Sequence, residues 1–218
     1  MIAKTLTAAL LMCLCLPVGV ATGAGKGRPP ELPVPAQRRV ALEKEHELMV
    51  PVDLDEPPDE AGTTGDGSND LSFRSFRDGD IVVAIESWSV GHAGIWDARY
   101  AQGDYSSCVW SAVKSSPGCV VREAPARYRT YDRAFGLYVP GLSTQTLAAA
   151  RSYCAAQSGK PYDISASKSD ESRWYCSKLV WAGYSRKASR DIDANGGYWV
   201  SPSDIYSDSD TRVFASGN

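Results

Sequence analysis

Trp174-Tyr175-Cys176-Ser177-Lys178-Leu179-Val180-Trp181 is the stretch on which the reading of this chain turns. It follows Asp170-Glu171-Ser172, which offers a capping side chain and acidic charge to a first helical turn. The pattern predicts a helix from there to about Arg186, with Cys176 inside its first turn. At such a position unpaired backbone N–H groups and the positive end of the macrodipole favour a thiolate. The same N–H groups can hold a developing oxyanion. The competing reading is a buried small hydrophobe, since free cysteine is among the most buried residue types.

Upstream, Ser143 or Thr144 caps a second predicted helix, which runs through Leu147-Ala148-Ala149-Ala150 to Gln157 and stops at Gly159. Before it the chain reads as short strands: Ile81–Ile85 after the turn Asp78-Gly79-Asp80, His92–Ala98, Val109–Val113, Cys119–Arg122 and Ala134–Val139. Neighbouring short strands are best satisfied by an antiparallel sheet. Strands first and helices later predict an α+β domain, a sheet followed by packed helices.

The composition divides the chain. Residues 1–24 have a basic start, an apolar run from Leu6 to Val20 and small residues at the end. That is the layout of a cleavable signal peptide, cut after Ala21 or Ala24, and it predicts a secreted or cell-envelope protein. A lipoprotein is disfavoured because Met12 precedes Cys13, and a retained anchor because the run is short. Residues 25–70 hold seven of the 13 prolines and no aromatic residue, with eleven acidic side chains against five basic ones. Such a segment cannot bury enough apolar surface to offset its chain entropy, and reads as a disordered linker or pro-segment. Val40–Met49 is at most a transient helix there, and His46 a solvated residue. Residues 71–218 carry all 11 tyrosines and all six tryptophans, enough for one domain with a real core. Their near-neutral charge argues against a nucleic-acid partner.

That domain contains one histidine, His92. Cysteine-based acyl transfer generally uses an imidazole near the thiol, so His92 is the candidate base, its ring expected at a sheet edge facing the helix start. A lone strand histidine can equally be structural. Four cysteines remain after signal cleavage, and an oxidising location permits disulfides. A Cys108–Cys119 bridge across the hairpin is one possibility; a Cys154–Cys176 bridge, which would silence the thiol, is another. Asp191-Ile192-Asp193-Ala194-Asn195-Gly196 matches half of a calcium loop, but Pro202 stands where a bidentate Glu is needed, so a turn is preferred and neither metal nor cofactor is expected. Trp88, Trp174, Trp181 and Trp199 read as core or cleft walls.

Five pieces stand in order: Gly79-Asp80-Ile81-Val82, Gly91-His92-Ala93-Gly94-Ile95-Trp96, Gly159-Lys160-Pro161-Tyr162-Asp163, the Cys176 stretch, and Ser201-Pro202-Ser203-Asp204. Over residues 76–214 the chain resembles the permuted, YiiX-like branch of the NlpC-type papain-like cysteine hydrolases. The histidine strand precedes the cysteine helix, as circular permutation would leave it. The resemblance implies a permuted papain-like fold and hydrolysis of an amide, or less often an ester, through an acyl-enzyme on Cys176. A peptide or peptidoglycan-like substrate, acted on by a monomer, is the corresponding expectation. The resemblance also places Tyr162 near the oxyanion pocket, with simple packing in a loop as the alternative; Tyr175, next to the thiol in sequence, is expected to line the same pocket. The resemblance further implies a polar residue, often Glu, on the strand after the histidine strand. Ser111 occupies that place. It can accept from an imidazole N–H but cannot stabilise imidazolium as a carboxylate does. Asp97, five positions from His92, points to the opposite face by the strand period, and Glu123 reaches in only if the hairpin register allows. A lipid acyltransferase or thioesterase on the same fold, and a catalytically silent exported binding domain, are the alternatives.

Overall fold

The computed structural model describes residues 68–86, 91–101 and 107–218. The predicted signal peptide, all but the last residues of the predicted linker, and Trp88 lie outside them. The fold is α+β. Six strands form one antiparallel sheet in the order β4-β3-β2-β1-β5-β6. They are β1 (Ile81–Ile85), β2 (Gly91–Trp96), β3 (Val109–Ala112), β4 (Val120–Glu123), β5 (Arg133–Tyr138) and β6 (Arg212–Gly217). A 3-10 helix (Pro125–Thr130) connects β4 to β5; helices α1 (Thr144–Ala155), α2 (Cys176–Ala188) and α3 (Pro202–Ser207) separate β5 from β6. No described helix is long and apolar enough to cross a membrane.

The period of two divides the sheet into two faces. Ile81, Val83 and Ile85 of β1, Ala93 and Ile95 of β2, and Phe135 and Leu137 of β5 pack against Leu179, Val180, Ile205 and Tyr206 from the helices. Val82, Ala84, Trp96, Val109 and Ala134 face the other way, onto Leu71, Phe73 and Phe76 of the N-terminal segment and Tyr128 and Tyr131 at the 3-10 helix. The lead-in segment is pinned there: Asn69 Nδ2 donates to the carbonyls of Tyr128 (2.9 Å) and Tyr131 (2.8 Å). Ordered packing is therefore under way at Asn69, within the stretch predicted as linker.

The helices have different starting devices. Ser143 caps α1, its side chain accepting from the Thr146 N–H, as predicted. The α2 start differs from expectation. Cys176 is its first residue, Tyr175 is the N-cap, and no side chain caps it. Asp170 spends its carboxylate on the Ser172 N–H and hydroxyl, a local turn upstream of the helix. Ser201 and Asp204 form a reciprocal capping box at α3.

Two further expectations need correction. The helices do not end the domain, because β6 returns to pair with β5 along an outer edge. β2 is not an edge strand either: it lies between β1 and β3, deep in the sheet. Its ladder with β3 is nonetheless short, limited to Ile95↔Trp110 and Trp96↔Val109. Toward His92 the main-chain pairing stops, and the Ser111 hydroxyl donates to the Ala93 carbonyl (2.7 Å) in place of a ladder bond.

Candidate active site

Cys176 begins a 13-residue helix, and it is 1% exposed. Three connections fix the main chain around it. Lys178, fully buried, turns its ammonium back toward the helix start, as helical side chains do, and donates to the Asp170 and Arg173 carbonyls. It also lies over the Trp174 ring, 4.7 Å from the centroid. Burial pulls this ammonium down to about 8. From the other side the Gly-Lys-Pro-Tyr-Asp segment clasps the lead-in, with Trp174 N donating to Pro161 O (3.0 Å) and Asp163 N to Trp174 O (2.9 Å). The two neighbours of the cysteine are then tied to one residue: Val200 N donates to the Tyr175 hydroxyl (3.1 Å), and the Ser177 hydroxyl donates to Val200 O (2.6 Å). Ser201-Pro202-Ser203-Asp204 caps α3 directly after that residue. Two of the short sequence pieces thus share one structural task, holding the start of α2.

The four described cysteines are free thiols. Cys108 lies opposite the end of β4, its N–H bonded to the Glu123 carbonyl, whereas Cys119 lies opposite Val113 near the turn. The two sit at opposite ends of the hairpin and cannot bridge. Cys154 faces the middle of α2, its thiol donating to Leu179 O (3.3 Å) and packing on Gly183, where a Cβ would come within 2.7 Å of the sulfur. That is about two turns from Cys176, since each residue rises about 1.5 Å. Burial raises the Cys154 thiol well above its usual range and pushes Cys108 up to about 12, so both are inert.

His92 is fully buried, on the face of the sheet opposite the helices. Its ring stacks on Tyr128 (5.1 Å between centroids, 27° between planes) and Tyr131 (6.4 Å, 10°). Nε2 meets Glu123 Oε1 at 2.7 Å and Ser111 Oγ at 3.3 Å. Ser111 therefore stands beside the imidazole as expected, but the shorter contact is to a carboxylate. Glu123 comes from β4, one strand beyond the expected position. Its cross-strand row is Val109 and Trp96, so it reaches His92 diagonally over Gly94. A Cβ at Gly94 would collide with the Tyr128 hydroxyl and a Val109 methyl, and glycine there leaves the room in which these side chains meet. Asp97 points away from this cluster. It is buried against Arg99 (2.7 and 2.8 Å) and Trp110 (2.9 Å), and Arg151 of α1 lies 3.7 Å off, a structural knot at the far end of β2.

Burial works to raise the Glu123 carboxyl, but the charges and hydrogen bonds of His92, Arg127 and Tyr128 outweigh it, and the group is held below its ordinary value. Burial raises the Tyr128 and Tyr131 phenols, and Cys176 adds to both shifts. The two tyrosines stacked on His92 thus also lie within electrostatic reach of Cys176. Tyr175 is likewise raised, by burial and by Cys176. Tyr162 is half-buried beside the helix-face core, its backbone bridged to Trp174 two residues before the thiol. The Asp191–Gly196 segment is a turn, with Lys168 paired to Asp193. Among the described residues no group of three or more His, Cys, Asp or Glu is placed to hold a metal ion.

No family model matches the chain. It is 30% identical over 127 residues to the uncharacterized protein YycO of Bacillus subtilis, a match covering 56% of this chain. The chain spans about half the length of that curated relative, 48%. The crystal structure of YiiX from Escherichia coli O157:H7, described as a metalloprotein, aligns over 63% of this chain and 95% of its own, with a TM-score of 0.49 and 18% identity.

Proposed function

We propose that the chain is an exported cysteine hydrolase of permuted papain-like type, cleaving an amide bond in a peptide, with peptides of the cell wall as the substrate class. One observation carries this reading. A thiol stands at a helix start, and a buried carboxylate holds the domain's one imidazole at 2.7 Å between two stacked tyrosines whose phenols the thiol's charge also influences. In this reading Glu123 holds Nε2, and the proton exchange with the thiol runs through Nδ1. His92 takes the proton from Cys176, and the sulfur attacks the substrate carbonyl carbon. The N–H groups at the start of α2 receive the oxyanion. The C–N bond then breaks, the amine leaves with the proton from His92, and a thioester remains on Cys176. Water, deprotonated by His92, hydrolyses it and restores the thiol. In this scheme Glu123 orients and charges the imidazole, Ser111 makes the second, longer contact, and Tyr162 and Tyr175 flank the substrate side. With Glu123 against His92 the imidazole has a carboxylate partner, which supports the hydrolase reading over a silent binding domain.

Iodoacetamide labelling tests the proposal. Labelling at Cys176 should exceed that at Cys108 and Cys154, and vanish in Cys176→Ala. His92→Ala should reduce both labelling at neutral pH and peptide turnover by about 10²–10⁴-fold. Equal labelling of the wild type and Cys176→Ala would end the hydrolase reading. Turnover of acyl esters without any peptide cleavage would move the substrate class to the acyltransferase or thioesterase alternative.

A further inference from the structure

We propose that Tyr128 is a positioning residue for the His92–Glu123 pair, its hydroxyl holding the Glu123 carboxylate in register, as an anion, against the imidazole. The kinetic consequence rests on the hydrolase reading above; the geometry does not. Tyr128 belongs to the 3-10 helix and is fully buried. A buried phenol needs some hydrogen-bond acceptor, and a main-chain carbonyl would satisfy it. Tyr128 instead donates to Glu123 Oε1 (2.9 Å), the same oxygen that meets His92 Nε2 (2.7 Å). Its ring meanwhile stacks on the His92 ring. One side chain therefore bounds the imidazole on its face and fixes the atom at its edge.

Tyr128 is itself held from three directions. Its hydroxyl rests over Gly94, where any side chain would displace it. Its carbonyl accepts from Asn69 Nδ2, and the next residue, Arg129, donates through Nε to Leu71 O (2.8 Å). The groups facing Glu123 are His92 from β2, and Arg127 (Nε to Oε2, 3.5 Å) and Tyr128 from the 3-10 helix. The next titratable groups outward are Tyr131 and Cys176. Against the cost of burying a carboxylate these donors act together, and the hydroxyl is the one that adds direction without adding charge.

The test is an NMR titration of the His92 ring in the full chain, with His46→Gln removing the only other histidine signal. The low-pH step of that titration reports protonation of Glu123, and Glu123→Gln should erase it. Tyr128→Phe keeps the stacked ring and removes one hydroxyl. It should move the step upward by about one pH unit and slow Cys176 labelling, up to about tenfold, in the pH interval between the wild-type and variant steps. A packing role alone would lower Tm and leave the step where it is, which overturns the proposal in a folded Tyr128→Phe protein. In the unsubstituted chain the Tyr128 hydroxyl proton should exchange slowly and shift with the same low-pH step; a fast-exchanging proton counts against the proposal even if the Phe variant fails to fold. Failure of Cys176 to label removes the hydrolase reading and leaves both NMR outcomes to decide the role of Tyr128.

Discussion

The sheet is covered on one face by helices and on the other by a 3-10 helix and an extended lead-in, and the two coverings do different work. The helical face is dense with aliphatic side chains, and its polar bonds, such as Lys178 to the Asp170 and Arg173 carbonyls, shape the main chain around Cys176. The opposite face is aromatic and polar together. There His92 lies among Tyr128, Tyr131, Glu123 and Arg127. A nucleophile asks for a fixed backbone and a positive helix end, which regular structure supplies. An imidazole asks for a chosen tautomer and a charged partner, and here Glu123 at the end of β4 and Tyr128 of the 3-10 helix meet those demands together.

Three substitutions press on that contrast. Leu179→Ala, in the helical core, should lose about 2–5 kcal/mol in urea unfolding and leave the His92 titration unchanged. A shifted titration would show that the faces are coupled through packing. Glu123→Gln should act mainly through pH. The folded carboxyl lies below its ordinary value of 4.5, so ionised Glu123 contributes stability that is complete above that value and is lost as pH falls through the folded one. The wild-type Tm should therefore drop in that acid range, and the Gln variant should lack this part of the drop, an effect of about 1–3 kcal/mol. An identical Tm-versus-pH curve would mean that Glu123 gains nothing from its partners. Ser143→Ala removes the α1 cap on the helical side and should cost about 1 kcal/mol by the same unfolding measurement, with labelling of Cys176 unaffected.

Much of this was readable in advance, for reasons that differ by residue. The strands around Ile81–Ile85 and His92 and the helix capped by Ser143 follow from β-branched runs and local caps, which act over a few residues. Cys176 and His92 could be singled out because one thiol stood at a helix start and the domain held one histidine. The Cys108–Cys119 bridge misled because spacing across a turn says nothing about which residues face each other until the register is known. The α2 cap misled because Asp170 closes its own turn two residues on. In the sequence Glu123 is only a conditional partner for His92, and nothing local marks Tyr128. The signal for Glu123 was present as a polar residue at the end of a short strand, but its value depended on a diagonal across two strands.

Sequence alone therefore determined the parts whose causes are local: an α+β order of elements, the helix-start thiol and the lone imidazole. The tertiary structure decided the rest, namely that β2 lies inside the sheet, that β2 and β3 part beside His92, and that Glu123 and Tyr128 converge on one ring. Those outcomes depend on strand register and on a glycine, Gly94, whose missing side chain lets distant residues meet, and no local propensity encodes them.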